Sequence, residues 1–241
     1  MRQIFWNEAE QRLRAGWRLV LQIVVLLAFL IPVQVIVFGV VAVAGVSPEA
    51  FVDAVSGEPS DGIAMGVAWG QVALGFGTTI VMVLSVWLSG RFFDQRRFVG
   101  FGMRLDGAWW LDLLAGIVLA GLLQTLIFNM HWGFGWVRID GVWTGSAEAS
   151  VGLLVVAGLL NMLNVGFYEE LFSRGYQLLN LAEGLSRFGE RTALLVAWVV
   201  SSAVFGALHL TNPNAGLIST ANIVLAGLFL GLPFIMTRRL G

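Results

Sequence analysis

Two adjacent carboxylates, Glu169 and Glu170, with Arg174 a few residues further on, are the groups of this chain best suited to do chemistry. They lie in the run NMLNVGFYEELFSRGYQLLNL, from Asn161 to Leu181, whose upstream half is otherwise fit for lipid. A charge at membrane depth costs about 2.5–3.5 kcal/mol on insertion scales, so it faces a partner or a cavity and marks a functional site by default. On an α-helix Glu170 and Arg174 share a face and can bond. Glu169 points about 100° away, with Ser173 one turn below it. One carboxylate therefore has a built-in counter-ion and the other has none. Glu170 is suited to orientation, and the open Glu169 is the candidate general base. The bland alternative is a structural Glu–Arg clamp between helices, against which the cost of a second intramembrane carboxylate weighs.

A second ionisable group stands downstream, His209, at the end of the run FGALH. Phe205 stacks on the same helical face and Gly206 leaves room beside it. A helix crossing next to that of Glu169 could set the imidazole against the carboxylate. Measured along each helix from its cytoplasmic end, at about 1.5 Å per residue, Glu169 sits about 18 Å deep and His209 about 26 Å deep, so tilt must close the gap. His131, among tryptophans, reads as a surface residue rather than a ligand.

The elements that must position these groups are membrane spans. With 58% apolar residues, 12% charged and a mean hydropathy of +0.83, the chain is an integral membrane protein. It has no cysteine, which excludes disulfides and thiolate chemistry. All 14 basic residues are Arg, which excludes lysine bases and Schiff bases. A net charge of −1 gives no indication of a nucleic-acid partner. The first apolar run is too long for a cleavable signal peptide.

The expected fold class is all-α: a polytopic bundle of six transmembrane helices preceded by an N-terminal interfacial helix over residues 1–18. The spans are expected near Leu19–Ala44 (kinked at Pro32), Ile63–Leu88, Trp109–Asn129, Ser150–Leu181, Thr192–Leu210 and Leu217–Met236. Pro48, Pro59 and several acids mark the first loop, Trp132, Trp136 and Trp143 an interfacial belt, and TNPNAG (Thr211 to Gly216) a tight turn. The chain is expected to be one membrane domain, 1–241, with residues 19–107 holding the first two spans and a basic loop, and 108–241 the core. With the N-terminus inside, twelve of the 14 arginines fall in cytoplasmic segments, Arg138 outside and Arg174 within a helix. The positive-inside rule thus puts both termini in the cytoplasm. Abundant Ala, Gly and Arg without Lys suits a GC-rich genome and a bacterial inner membrane. No internal repeat suggests an inverted-repeat transporter.

Glu169-Glu170-Leu171-Phe172-Ser173-Arg174 followed by Gly175, and Phe205 to His209 about 35 residues later, resemble the EExxxR and FxxxH motifs of the CAAX-protease and bacteriocin-processing (CPBP) intramembrane peptidases, which include type II CAAX prenyl endopeptidases. The resemblance runs roughly from Trp109 to Gly241. It implies that Glu169 activates water, that His209 holds it or shuttles its proton, and that Arg174 fixes Glu170. The implied reaction is hydrolysis of a membrane-associated or lipidated peptide without an acyl-enzyme. It also implies an HxxxN-type motif on a further helix, which these 241 residues do not contain. Asn222 is the nearest polar side chain for the cavity, alongside Ser173 and Phe205. The Glu pair and His209 supply at most three metal ligands, so direct glutamate catalysis without a cofactor is favoured over zinc. Membrane lipids and a peptide or protein substrate are the expected partners. A non-catalytic binding or immunity-type relative is the alternative, and a small proton-coupled transporter a weaker one.

Overall fold

The computed structural model describes residues 2–43, 47, 64–141, 150–212 and 215–240. Among the described residues six helices are long and apolar enough to cross a membrane: α1 (Ala15–Val43), α2 (Ala64–Ser89), α3 (Gly107–Gly133), α4 (Val151–Gly184), α5 (Glu190–Leu208) and α6 (Leu217–Thr237). The protein is thus an all-α, multi-pass membrane bundle. Each helix extends within a few residues of its expected span, because an apolar run of this length satisfies its backbone polar groups in lipid only as a helix. Pro48, Pro59, Trp143 and the centre of the TNPNAG turn lie outside the described residues.

The first eighteen residues depart from expectation. They form no single interfacial helix; a helical turn, Arg2–Phe5, leads into a hairpin of β1 (Trp6–Asn7) and β2 (Arg12–Leu13), antiparallel with Trp6 opposite Leu13. The reason is local. The Asn7 side chain accepts from the N–H groups of Ala9 and Glu10, at 3.1 and 3.4 Å, offering the backbone a turn in place of helical bonds. Gln11 then takes a left-handed conformation with φ 52°, and α1 begins at Ala15.

Along the bundle α1 packs on α2, α2 on α4, and α4 on α5, with the most extensive pairing between α5 and α6. Small residues set that last approach. A Cβ on Gly206 would lie 2.3 Å from Val224 Cγ2 and 3.1 Å from the Val224 nitrogen, so α6 can lie on α5 only where a side chain is missing. Between α2 and α4, Thr79 donates to Asn164 Oδ1 at 3.0 Å. Gly75 makes room there for Asn161 and Asn164, so these two asparagines face α2.

Helix α3 stands apart. Its apolar side chains are exposed along most of its length, while Trp109 at its start is buried. It is tied at that same end by Arg239, whose Nη1 lies 3.0 Å from Asp112 Oδ2. Asp106 caps α3 by accepting from the Trp109 N–H at 3.0 Å. That bond, and then Arg239 and Arg104, hold the Asp106 carboxyl below its usual range.

The same end of the bundle carries a buried ionic cluster. Arg18 Nη1 reaches Asp94 Oδ1 at 2.9 Å and Glu183 Oε2 at 2.8 Å. Arg12 (3.0 Å) and Arg96 complete the cations around Glu183. Tyr176 donates to Asp94 Oδ2 at 2.6 Å. Arg18, Asp94 and Tyr176 are each at most 1% exposed. The start of α1, the end of α2 and the end of α4 are thereby joined at one level.

Candidate active site

The carboxylate-bearing helix is not α-helical throughout. Directly after Glu170 it widens into a π-helix, Leu171–Leu178, before resuming as α-helix over Leu179–Gly184. All eight residues of the wide stretch are buried. It is wedged among α2, α5 and the segment Phe98–Phe101. Gly175 permits the closest contact, since a Cβ there would stand 2.8 Å from the Phe101 carbonyl oxygen. π-Helical turns are uncommon and gather at functional sites. Nothing in the amino-acid pattern marks this one; the space available to the side chains decides it.

Within this frame the sequence-predicted residues separate into two layers. Arg174, 2% exposed, places Nη1 3.1 Å from Glu170 Oε1. Its Nη2 donates to the Gly227 carbonyl of α6 at 3.1 Å. Its guanidinium also lies over the Phe205 ring, 4.5 Å from the centroid. One side chain thus joins α4, α5 and α6. Trp198 makes a parallel tie, donating from Nε1 to the Leu228 carbonyl at 3.0 Å.

The outer layer holds the second carboxylate. Glu169 Oε1 lies 3.7 Å from His209 Nε2. The imidazole closes the last turn of α5: its Nδ1 is 2.7 Å from the Phe205 carbonyl oxygen, and its ring stacks on Phe205 at 4.7 Å. A carbonyl only accepts, so Nδ1 carries a hydrogen and donates it there, leaving Nε2 facing Glu169. At 3.7 Å the pair is beyond a direct hydrogen bond and close enough to share a water. Both side chains are partly exposed, at 28% and 21%, while Arg174 behind them is closed off.

The structure therefore brings together Glu169, Glu170, Arg174, Phe205 and His209. Ser173 is buried in the π-helical stretch. Asn222 is exposed on α6, with no described contact to Glu169 or His209. His131 stacks on Trp136 at 5.4 Å, at the far end of α3. Among the described residues no group of three or more His, Cys, Asp and Glu side chains is placed to hold a metal ion.

Sequence reasoning missed the tie from Tyr176 to Asp94 and Arg18. Its available signal was charge at matching span ends: Arg18 opens the first span, Asp94 follows the second and Glu183 follows the fourth.

Fold and site together define a polytopic helical membrane protein with a Glu–His pair backed by a Glu–Arg pair inside the bundle. Residues 151–241, α4 to α6, match the family described as Type II CAAX prenyl endopeptidase Rce1-like. The match contains the whole Glu169–His209 constellation and begins at the first turn of α4. No curated protein matches the chain. No solved structure matches it either.

Proposed function

We propose that this chain is an intramembrane endopeptidase, hydrolysing a peptide bond of a membrane-associated or lipidated peptide with water activated by Glu169 and His209. The observation that carries the reading is the 3.7 Å approach of Glu169 Oε1 to His209 Nε2, with Nδ1 anchored on the Phe205 carbonyl. With Nδ1 donating to the Phe205 carbonyl, Nε2 accepts a hydrogen bond from one O–H of the water while Glu169 takes the proton of the other. As Glu169 takes its proton, the water oxygen bonds to the scissile carbonyl carbon. Return of a proton to the amide nitrogen then releases the amine. Carboxyl and free amine products account for all the atoms, and no covalent enzyme intermediate forms.

Glu170 has a different part. Its charge is matched by Arg174, which leaves Glu169 as the carboxylate open to water. Arg174 positions both glutamates by fixing the helix that bears them to the Gly227 carbonyl and the Phe205 ring.

The test is cleavage of a membrane peptide by the protein purified in detergent. Glu169→Gln and His209→Gln each lower the rate by about 10²–10⁴-fold, the contribution of a positioned acid–base group, with the helical circular dichroism spectrum unchanged. Cleavage at wild-type rate in both folded variants removes the proposal.

A further inference from the structure

We propose that the cavity between the N-terminal hairpin, the start of α1 and the end of α4 binds the phosphate headgroup of an anionic membrane phospholipid. It encloses about 670 Å³. Two independent spans end at it, α1 at Ala15 and α4 at Gly184, so it lies level with the boundary where headgroups sit.

Its wall has an excess of positive charge. Glu10 and Glu183 line it, but both are already matched: Glu10 by Arg12 at 2.7 Å, and Glu183 by Arg12, Arg18 and Arg96. Arg187, also on the wall, meets no carboxylate among the described residues and rests over Phe188, 4.6 Å from the ring centroid. Arg14 lines the wall as well. Among the described residues the wall holds three arginines, Arg14, Arg18 and Arg187, against the two acids. Arg18, 1% exposed on the same wall, has an Nε without an acceptor among the described residues.

The backbone adds to this field. The first residues of α1, Ala15 and Gly16, line the cavity, and a helix start favours an anion. A Cβ on Gly16 would meet nothing within 4 Å, so the approach is clear. Phosphate oxygens suit guanidinium forks in the same way.

The apolar side of the cavity distinguishes a lipid from a soluble phosphate. Ile4 and Val20 line it and are exposed, and Val24 continues the exposed apolar strip one turn down α1. An acyl chain leaving the headgroup site follows that strip into the bilayer.

The test uses the full chain in a neutral detergent, titrated with phosphatidylglycerol, with phosphatidylcholine or with inorganic phosphate, and followed by native mass spectrometry and melting temperature. Phosphatidylglycerol is expected to bind and raise the melting temperature, with phosphatidylcholine and phosphate ineffective. Arg187→Gln weakens phosphatidylglycerol binding about tenfold, the loss of one charge-assisted hydrogen bond. Gly16→Asp sets a negative charge in the first turn of α1, where it suits the helix itself, and abolishes lipid binding without lowering the lipid-free melting temperature. Equal binding of phosphatidylglycerol and phosphatidylcholine, or undiminished binding by a folded Gly16→Asp variant, overturns the proposal. A shift produced in full by inorganic phosphate overturns the lipid assignment.

Discussion

Replacing Arg174 by Met tests the joint that holds the site. Met keeps much of the volume and deletes the charge. Three contacts go at once: the ion pair to Glu170 at 3.1 Å, the hydrogen bond to the Gly227 carbonyl at 3.1 Å, and the stacking on Phe205. Breaking a buried pair by removing one partner costs about 3–5 kcal/mol. The lower end applies here, for two reasons. Glu170 is 27% exposed, and the Arg174 Nη1 hydrogen is not aligned on the carboxylate. Losing the carbonyl's partner and the ring contact adds roughly 1 kcal/mol each. The total is about 5 kcal/mol, a large part of a typical folding free energy.

The double variant Glu170→Gln/Arg174→Met leaves no unmatched charge and recovers about 2 kcal/mol relative to the sum of the single changes. Arg174→Lys falls between, because one ammonium cannot reproduce a fork that reaches Glu170 and Gly227 together. Unfolding by sodium dodecyl sulfate, followed by far-ultraviolet circular dichroism, measures wild type, Glu170→Gln, Arg174→Met, the double variant and Arg174→Lys. Additive single and double variants would refute the coupling between Arg174 and Glu170.

Two further predictions concern the π-helical stretch. Tyr176→Phe removes the hydroxyl that donates to Asp94 Oδ2 at 2.6 Å and destabilises the protein by about 1.5–3 kcal/mol in the same unfolding assay; made in an Asp94→Asn background, the change costs less. Gly175→Ala drives a methyl against the Phe101 carbonyl oxygen, 2.8 Å from the new Cβ. Backbone cannot turn aside as a side chain does, so a loss of about 1–3 kcal/mol is expected, together with a drop in peptide cleavage. A Gly175→Ala protein of wild-type stability would show that the wide turn has slack.

The spans were legible because hydropathy over some twenty residues is a one-dimensional signal, and lipid leaves the backbone little choice but helix. The pairs Glu170–Arg174 and Phe205–His209 were legible for a similar reason: residues one turn apart meet whatever surrounds the helix, and both contacts occur. What lies between helices was not. The amino-acid order sets Glu169 and His209 at unequal depths along separate helices, and only the packing of α4, α5 and α6 closes the distance to 3.7 Å. The π-helix after Glu170 depends on how its side chains fit among α2, α5 and Phe98–Phe101, which no local propensity encodes. The N-terminal hairpin replaced a plausible surface helix through one Asn7 side chain and the docking of Arg12 on Asp94 and Glu183. Periodicity and hydropathy are properties of a single segment. Distances between segments, and the charges that find each other across them, exist only once the chain has folded.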